Sequence, residues 1–205
     1  MLLLCSNGLS SKTLLTEMGA RLHNCKSAAL VVTADPIYKE NNYHVPRCIS
    51  ELKSLGLRVD TFDLDRQAPD QLMNYDVVEF IGGNPYYLLD AVRRTGSSEI
   101  LLNLSLHKVL IGWSAAAFVF GPTLALVDRY SPEMNTLGLE DLNGLSLTSH
   151  MVLPHYDRFL RKFDHFEEIC QSFENEFQVN VIRMNDGDGV FIIDSDIEMC
   201  KGENE

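Results

Sequence analysis

No apolar run in this chain approaches the ~20 residues that a bilayer-spanning helix needs, so no membrane span is expected. Met1-Leu-Leu-Leu-Cys-Ser-Asn-Gly8 has no basic lead and too short an apolar stretch for a signal peptide, and reads instead as a first strand. Basic residues are scarce: 17 Lys and Arg face 29 Asp and Glu, for a formal net charge of −12. That surplus excludes an electrostatic footprint on nucleic acid and docking on anionic membranes. A local basic pocket for an acidic ligand remains compatible with it.

The five cysteines (Cys5, Cys25, Cys48, Cys170, Cys200) are odd in number and include no Cys-x-x-Cys pair. Reduced thiols in a cytoplasmic protein are the expectation. His-Glu-x-x-His is absent, and the spacing of His150 and His155 does not put two ligands on one strand face, so no metal site is expected. Gly-x-Gly-x-x-Gly is absent too. Gly8-Leu-Ser-Ser-Lys-Thr13 lacks the glycine that a phosphate-binding loop carries directly before its lysine. The pattern therefore implies no cofactor.

What is present is a chain of 205 residues, 45% hydrophobic and 22% charged, enough for one domain over residues 1–205 with a substantial core. Apolar runs alternate with helical spacing. Leu2–Cys5, Ala28–Thr33, Arg58–Phe62, Asp76–Ile81 and Lys108–Trp113 read as strands, several with the continuous apolar character of parallel strands buried on both faces. Helices are expected from Ser11 to about Leu22, over Val45–Leu55 with Gly56 as its stop, from Asn84-Pro85 onward, and from Ser98. The β-α-β-α order means an α/β fold with a mostly parallel sheet, whose loops after the C-terminal strand ends carry the site. Residues 124–147 read as an irregular excursion. His150–Leu153 reads as a strand, Phe159–Phe177 as one helix, and Val179–Arg183 with Val190–Ile193 as a closing strand pair around Asn185-Asp-Gly-Asp-Gly189. The acidic tail after Met199 is expected to fray.

Three local motifs bear on chemistry. Lys108-Val-Leu-Ile-Gly-Trp-Ser-Ala-Ala-Ala117 reads as a buried strand turning sharply at Ser114 into a small-residue helix. That is the shape of a nucleophile elbow, because so tight a corner leaves no room beside the serine. The plainer reading is a helix N-cap. Phe80-Ile-Gly-Gly-Asn84 puts two glycines at a strand end, where the backbone can approach a ligand and leave amide hydrogens free. A simple tight turn reads the same way. Leu153-Pro-His-Tyr-Asp157 sets a histidine after a strand, suited to general base work, although a lone histidine is more often structural.

Gly-Gly-Asn at 82–84, Gly-Trp-Ser-Ala at 112–115 and Pro-His-Tyr at 154–156, in that order, resemble the dipeptidase E family of serine peptidases, which includes aspartyl dipeptidases and the related cyanophycinases. The resemblance spans most of the chain. It implies a three-layer αβα sandwich similar to class I glutamine amidotransferases, with serine in place of the nucleophilic cysteine. Carried over by position, Ser114 would be the nucleophile, His155 the base, and the N–H groups of Gly83 and Ala115 the oxyanion hole. Ala116 departs from the family, which has glycine there. The family also places an aspartate in the irregular stretch after the nucleophile helix, where this chain aligns Ser131. Asp128, three residues earlier, is the expected third member, with Asp157 as the alternative. For an acidic dipeptide the resemblance suggests Asn84, Arg129 and Arg158 as substrate contacts, while Arg161 reads as surface charge.

The expected activity is hydrolysis of dipeptides or small peptides, with an N-terminal aspartate as one candidate substrate. The rival is a catalytically lapsed relative that serves as a ligand- or protein-binding module, motivated by Ala116 and the unaligned aspartate. An exposed sheet edge or apolar helix face would permit a homodimer.

Overall fold

Alternation along the strands builds two cores on opposite faces of one sheet. In β1 (Leu2–Cys5), Leu2 and Leu4 join one buried cluster while Leu3 and Cys5 join the other. The same division separates Ala29 and Val31 from Ala28 and Leu30 in β2 (Ser27–Val31). A strand apolar on both faces must be covered on both, and helices do so here. Between β1 and β2 lies α1 (Lys12–Arg21), started by Ser11, whose side chain accepts the Leu14 N–H. It and α2 (Val45–Ser54) supply Leu14, Met18, Val45, Cys48 and Leu52 to the second cluster. After β3 (Arg58–Phe62) and β4 (Val77–Phe80), α3 (Pro85–Arg94) and α4 (Ser98–His107) cover the first face with Tyr86, Leu89, Val92, Leu101 and Leu104. The result is a three-layer α/β fold.

The chain then runs through β5 (Val109–Trp113) into α5 (Ala115–Phe120) and α6 (Ala125–Tyr130). It continues with β6 (Met151–Leu153), α7 (Tyr156–Lys162), α8 (Phe166–Phe177), β7 (Val181–Arg183), β8 (Gly189–Ile193) and β9 (Asp196–Cys200). This computed structural model describes residues 1–194 and 196–203. The main sheet has the order β3-β2-β4-β5-β1-β8-β9. Its first five strands are parallel; β8 runs antiparallel to β1, and β9 antiparallel to β8. Among the described residues no helix is long and apolar enough to cross a membrane.

Three sequence expectations need correction. The helix expected over 159–177 is two helices, because Phe163 is extended and His165 left-handed (φ 54°), a conformation histidine tolerates better than most residues. The turn lets Phe159, Phe163 and Phe166 all pack against the Tyr130 ring at 5.1–5.3 Å. The two closing strands are not partners: β7 pairs in parallel with β6 as a separate small sheet, while β8 joins β1. Periodicity identifies strands but carries no information on what they pair with. The segment entering the acidic tail is also ordered as strand β9, and Gly202 N–H donates to Asp188 Oδ1 at 2.8 Å.

Candidate active site

The C-terminal ends of β1, β4, β5 and β6 meet the entry to β8 at one edge of the fold, because an antiparallel strand begins where its parallel neighbours end. At the end of β5, Ser114 adopts φ 53°, ψ −112°. A non-glycine residue there is strained and persists only where its surroundings hold it. Its N–H donates to Cys5 O (3.2 Å) and its carbonyl accepts from Phe118 N–H (3.3 Å). Small neighbours are required. A Cβ on Gly82 would lie 2.9 Å from Ser114 Cβ, and one on Gly112 would lie 2.5 Å from the Phe120 ring. Ala116 fits: it is buried in the first turn of α5, and its methyl occupies the space facing Gly112. The N-cap reading fails, since the Ser114 side chain makes no capping hydrogen bond.

Beside the elbow, Gly83 sits at φ 152°, and a Cβ there would fall 2.3 Å from the carbonyl oxygen of Ala34. Asn84 N–H donates to that same oxygen at 2.8 Å, which pins the loop. The amide hydrogens of Gly83 and Ala115 reach no acceptor among the described residues, so both stay available to a ligand. Gly83→Ala is expected to cost roughly 3 kcal/mol through backbone strain and overpacking, and to displace this donor; urea unfolding and turnover measure the two effects.

Across the cleft, His155 follows Pro154 in a left-handed conformation (φ 57°). Its N–H donates to Ser6 Oγ at 2.8 Å, and Ser6 Oγ donates to Asp186 Oδ1 at 3.0 Å. His155 Nδ1 lies 2.6 Å from the same carboxylate oxygen. That contact fixes the ring and leaves Nε2 as the nitrogen open to a hydroxyl. The Asp186 Oδ2 atom pairs with Arg158, and Asp186 N–H donates to Asp157 Oδ1 at 3.2 Å. Partial burial pushes the Asp186 carboxyl up, but the hydrogen bond and charge of His155, then Ser6 and Arg158, outweigh it and hold it below its ordinary value.

Ser114, His155, Gly82, Gly83 and Arg158 line one cleft of about 220 Å³. Asn42, Tyr43 and His44 close it from the loop after β2, which the buried Lys39 anchors through Asp63 (3.1 Å) and Asp65. Burial, followed by the charges of Arg47, Arg158 and His155, lowers the His44 pKa and favours its neutral form.

The sequence model of peptidase family S51 matches residues 2–200. The chain belongs to peptidase family S51. It is therefore a peptidase of a serine peptidase family. This S51 member is 28% identical over 169 residues to an uncharacterized peptidase of Listeria monocytogenes, covering 80% of this chain and 79% of that one. It is 25% identical over 152 residues to Peptidase E of a Nostoc species, covering 72% of this chain and 61% of that protein. A crystal structure of a Listeria monocytogenes EGD-e protein assigned as Peptidase E superposes with a TM-score of 0.81 at 21% identity, covering 98% of each chain, which shows a shared fold.

Within this S51 peptidase, Ser114, His155, Gly83 and Arg158 line one cleft, and Ala115 opens the helix directly after Ser114. Other expectations are corrected. Asp128 does not meet His155; its Oδ1 accepts from the Tyr86 hydroxyl at 3.1 Å, since α6 places it over α3. Asp157 braces the Asp186 backbone and pairs with Arg161 instead of orienting the histidine. Asn84 is occupied as the N-cap of α3, accepting from Tyr86 N–H (2.9 Å) and Tyr87 N–H (3.1 Å), while its amide donates to Met134 O. Arg129 points elsewhere, bound to both oxygens of Glu176 at 2.8 and 2.7 Å. Sequence reasoning missed Asp186 and Ser6. The Asn185–Gly189 turn signal was visible, but only the crossing into β8 carries Asp186 to His155.

Proposed function

We propose that this S51 peptidase hydrolyses dipeptides or similarly small peptides, with Ser114 as nucleophile, His155 as general base and Asp186 as the orienting acid. The observation that carries the reading is that His155, bonded to Asp186, lines the same cleft as a strained serine whose side chain makes no capping bond. Ser114 Oγ attacks the peptide carbonyl as His155 Nε2 accepts its proton. The oxyanion forms where the Gly83 and Ala115 amides are free to donate. His155 then protonates the leaving amine, and water releases the acyl group by the same route. The small cleft supports a small substrate. The lapsed-module alternative loses both its motives, because Ala116 fits the elbow and Asp186 supplies a carboxylate. The five free thiols support a cytoplasmic setting.

Among the described lining residues Arg158 is the cation open to an acidic substrate side chain, and it is shared with Asp186. Asp-X dipeptides are therefore expected to exceed Asn-X dipeptides in kcat/KM by less than about tenfold, roughly 1.4 kcal/mol. A panel of Asp-X, Asn-X and neutral dipeptides, with fluorophosphonate labelling mapped to Ser114, tests the proposal. Folded protein that neither turns over any member nor takes the label would refute it.

A further inference from the structure

Glu79 on β4, three residues before Gly82, is fully buried and is not used in the proposed chemistry. One carboxylate oxygen, Oε1, accepts from the Trp113 indole N–H at 3.1 Å. The other, Oε2, has no hydrogen-bond partner among the described residues. The groups facing it are Arg47, Cys48 and Glu51 from α2, Cys5 from β1 and Trp113 from β5. Arg47 does not neutralise it, since that guanidinium is held by Glu51 Oε1 (2.9 Å) and by the Asn7 carbonyl (2.9 Å). A carboxylate so placed without a countercharge is costly, and the neutral acid is the form this pocket accommodates.

Trp113 directly precedes Ser114, and its six-membered ring lies where a Cβ on Gly82 would sit, 2.6 Å away. The indole thus wedges between the elbow and the Gly82-Gly83 loop, the two segments that carry the oxyanion donors. Arg47 flanks the same ring at 5.7 Å.

We propose that Glu79 is a positioning residue: in its neutral form it holds the Trp113 wedge, and so sets the spacing between the Ser114 elbow and the Gly83 amide. Its ionisation leaves a buried charge with Oε2 unpartnered; the Trp113 bond itself favours the anion, so the loosening comes from the water and rearrangement that the uncompensated charge demands. Burial, then the nearby Glu51, pushes the carboxyl up to about 8, against smaller opposing effects of Arg47, the Trp113 hydrogen bond and Cys48. The acid is therefore neutral near pH 7 and charges in the mildly alkaline range.

Trp113 is the chain's only tryptophan, so its fluorescence reports this contact directly. In the wild type, emission is expected to titrate with a midpoint near pH 8, and kcat for a dipeptide is expected to fall over the same range. Glu79→Leu removes the acceptor; its emission shifts at pH 7 and kcat falls about tenfold with KM nearly unchanged. Glu79→Gln keeps the acceptor and abolishes the charge, so it restores the neutral-pH emission and kcat while removing the alkaline titration. A titration that survives in Glu79→Gln, or that disappears in Glu51→Gln alone, overturns the proposal. So does a Glu79→Leu variant with wild-type emission and kcat. The kinetic arm rests on the peptidase reading above. The fluorescence arm does not, so a failed substrate panel and a failed Glu79 role are told apart.

Discussion

Ser114→Ala is expected to lower kcat for dipeptide hydrolysis on the order of 10⁶-fold while leaving the fold intact. The Oγ atom is the nucleophile of the proposed reaction, and no neighbouring hydroxyl can substitute for it. Ser6, whose hydroxyl also lies beside His155, is committed to His155 N–H and Asp186. The structural cost should be small, within about 1 kcal/mol. The Ser114 side chain caps nothing, and the hydrogen bonds that hold its positive φ are made by its backbone to Cys5 and Phe118. Alanine carries the same Cβ and the same strain. A residual rate above that of water alone should persist, because the Gly83 and Ala115 donors remain. Steady-state kinetics and a urea unfolding curve on one preparation separate the two effects. A variant that unfolds early would assign Ser114 to the scaffold.

Asp186→Asn is expected to cost about 10⁴-fold in kcat, whereas Asp128→Asn should stay within a few-fold. The asymmetry follows from what each carboxylate touches. Asp186 lies 2.6 Å from His155 Nδ1; in the proposed reaction it selects the tautomer that leaves Nε2 ready to take a proton and stabilises the imidazolium that forms. Asparagine can present its amide to Nδ1 and so favour the wrong tautomer. Asp128 meets only the Tyr86 hydroxyl among these residues, across α6 and α3. The pH dependence of stability follows the same pair. The Asp186 carboxyl is held below its ordinary value, so its stabilising contribution is present above the unfolded carboxylate pKa of about 3.9 and is lost as pH falls through the folded value. Asp186→Asn should remove that acid-side dependence as well as the activity. A reversed pattern, with Asp128→Asn inactive and Asp186→Asn competent, would return the orienting role to α6.

Much of the site was legible because its requirements are local. A strand entering a helix at a serine, with Gly112 before it and Ala115 and Ala116 after, can make one sharp corner, and it does. Asn84 followed by Pro85 reads as a cap and first helical residue, and caps α3 in that manner. The same legibility misled where one residue could serve two purposes: the Asn84 oxygen caps α3 and its amide is turned to the Met134 carbonyl, away from a substrate role.

The amino-acid sequence by itself determined the buried parallel strands, the elbow at Ser114, the glycine turn at 82–83 and the histidine after Pro154, since each depends on side chains within a few residues of one another. Only the tertiary structure decided which acid contacts His155. Asp186 lies 31 residues away and reaches it because β8 pairs antiparallel with β1, bringing the start of one strand to the end of the others. Strand pairing is set by packing over the whole sheet, and no local spacing encodes it. The same long-range packing set Glu79 against Trp113 and bound Arg129 to Glu176, so a buried acid gained a place beside the elbow and an apparent substrate ligand lost one.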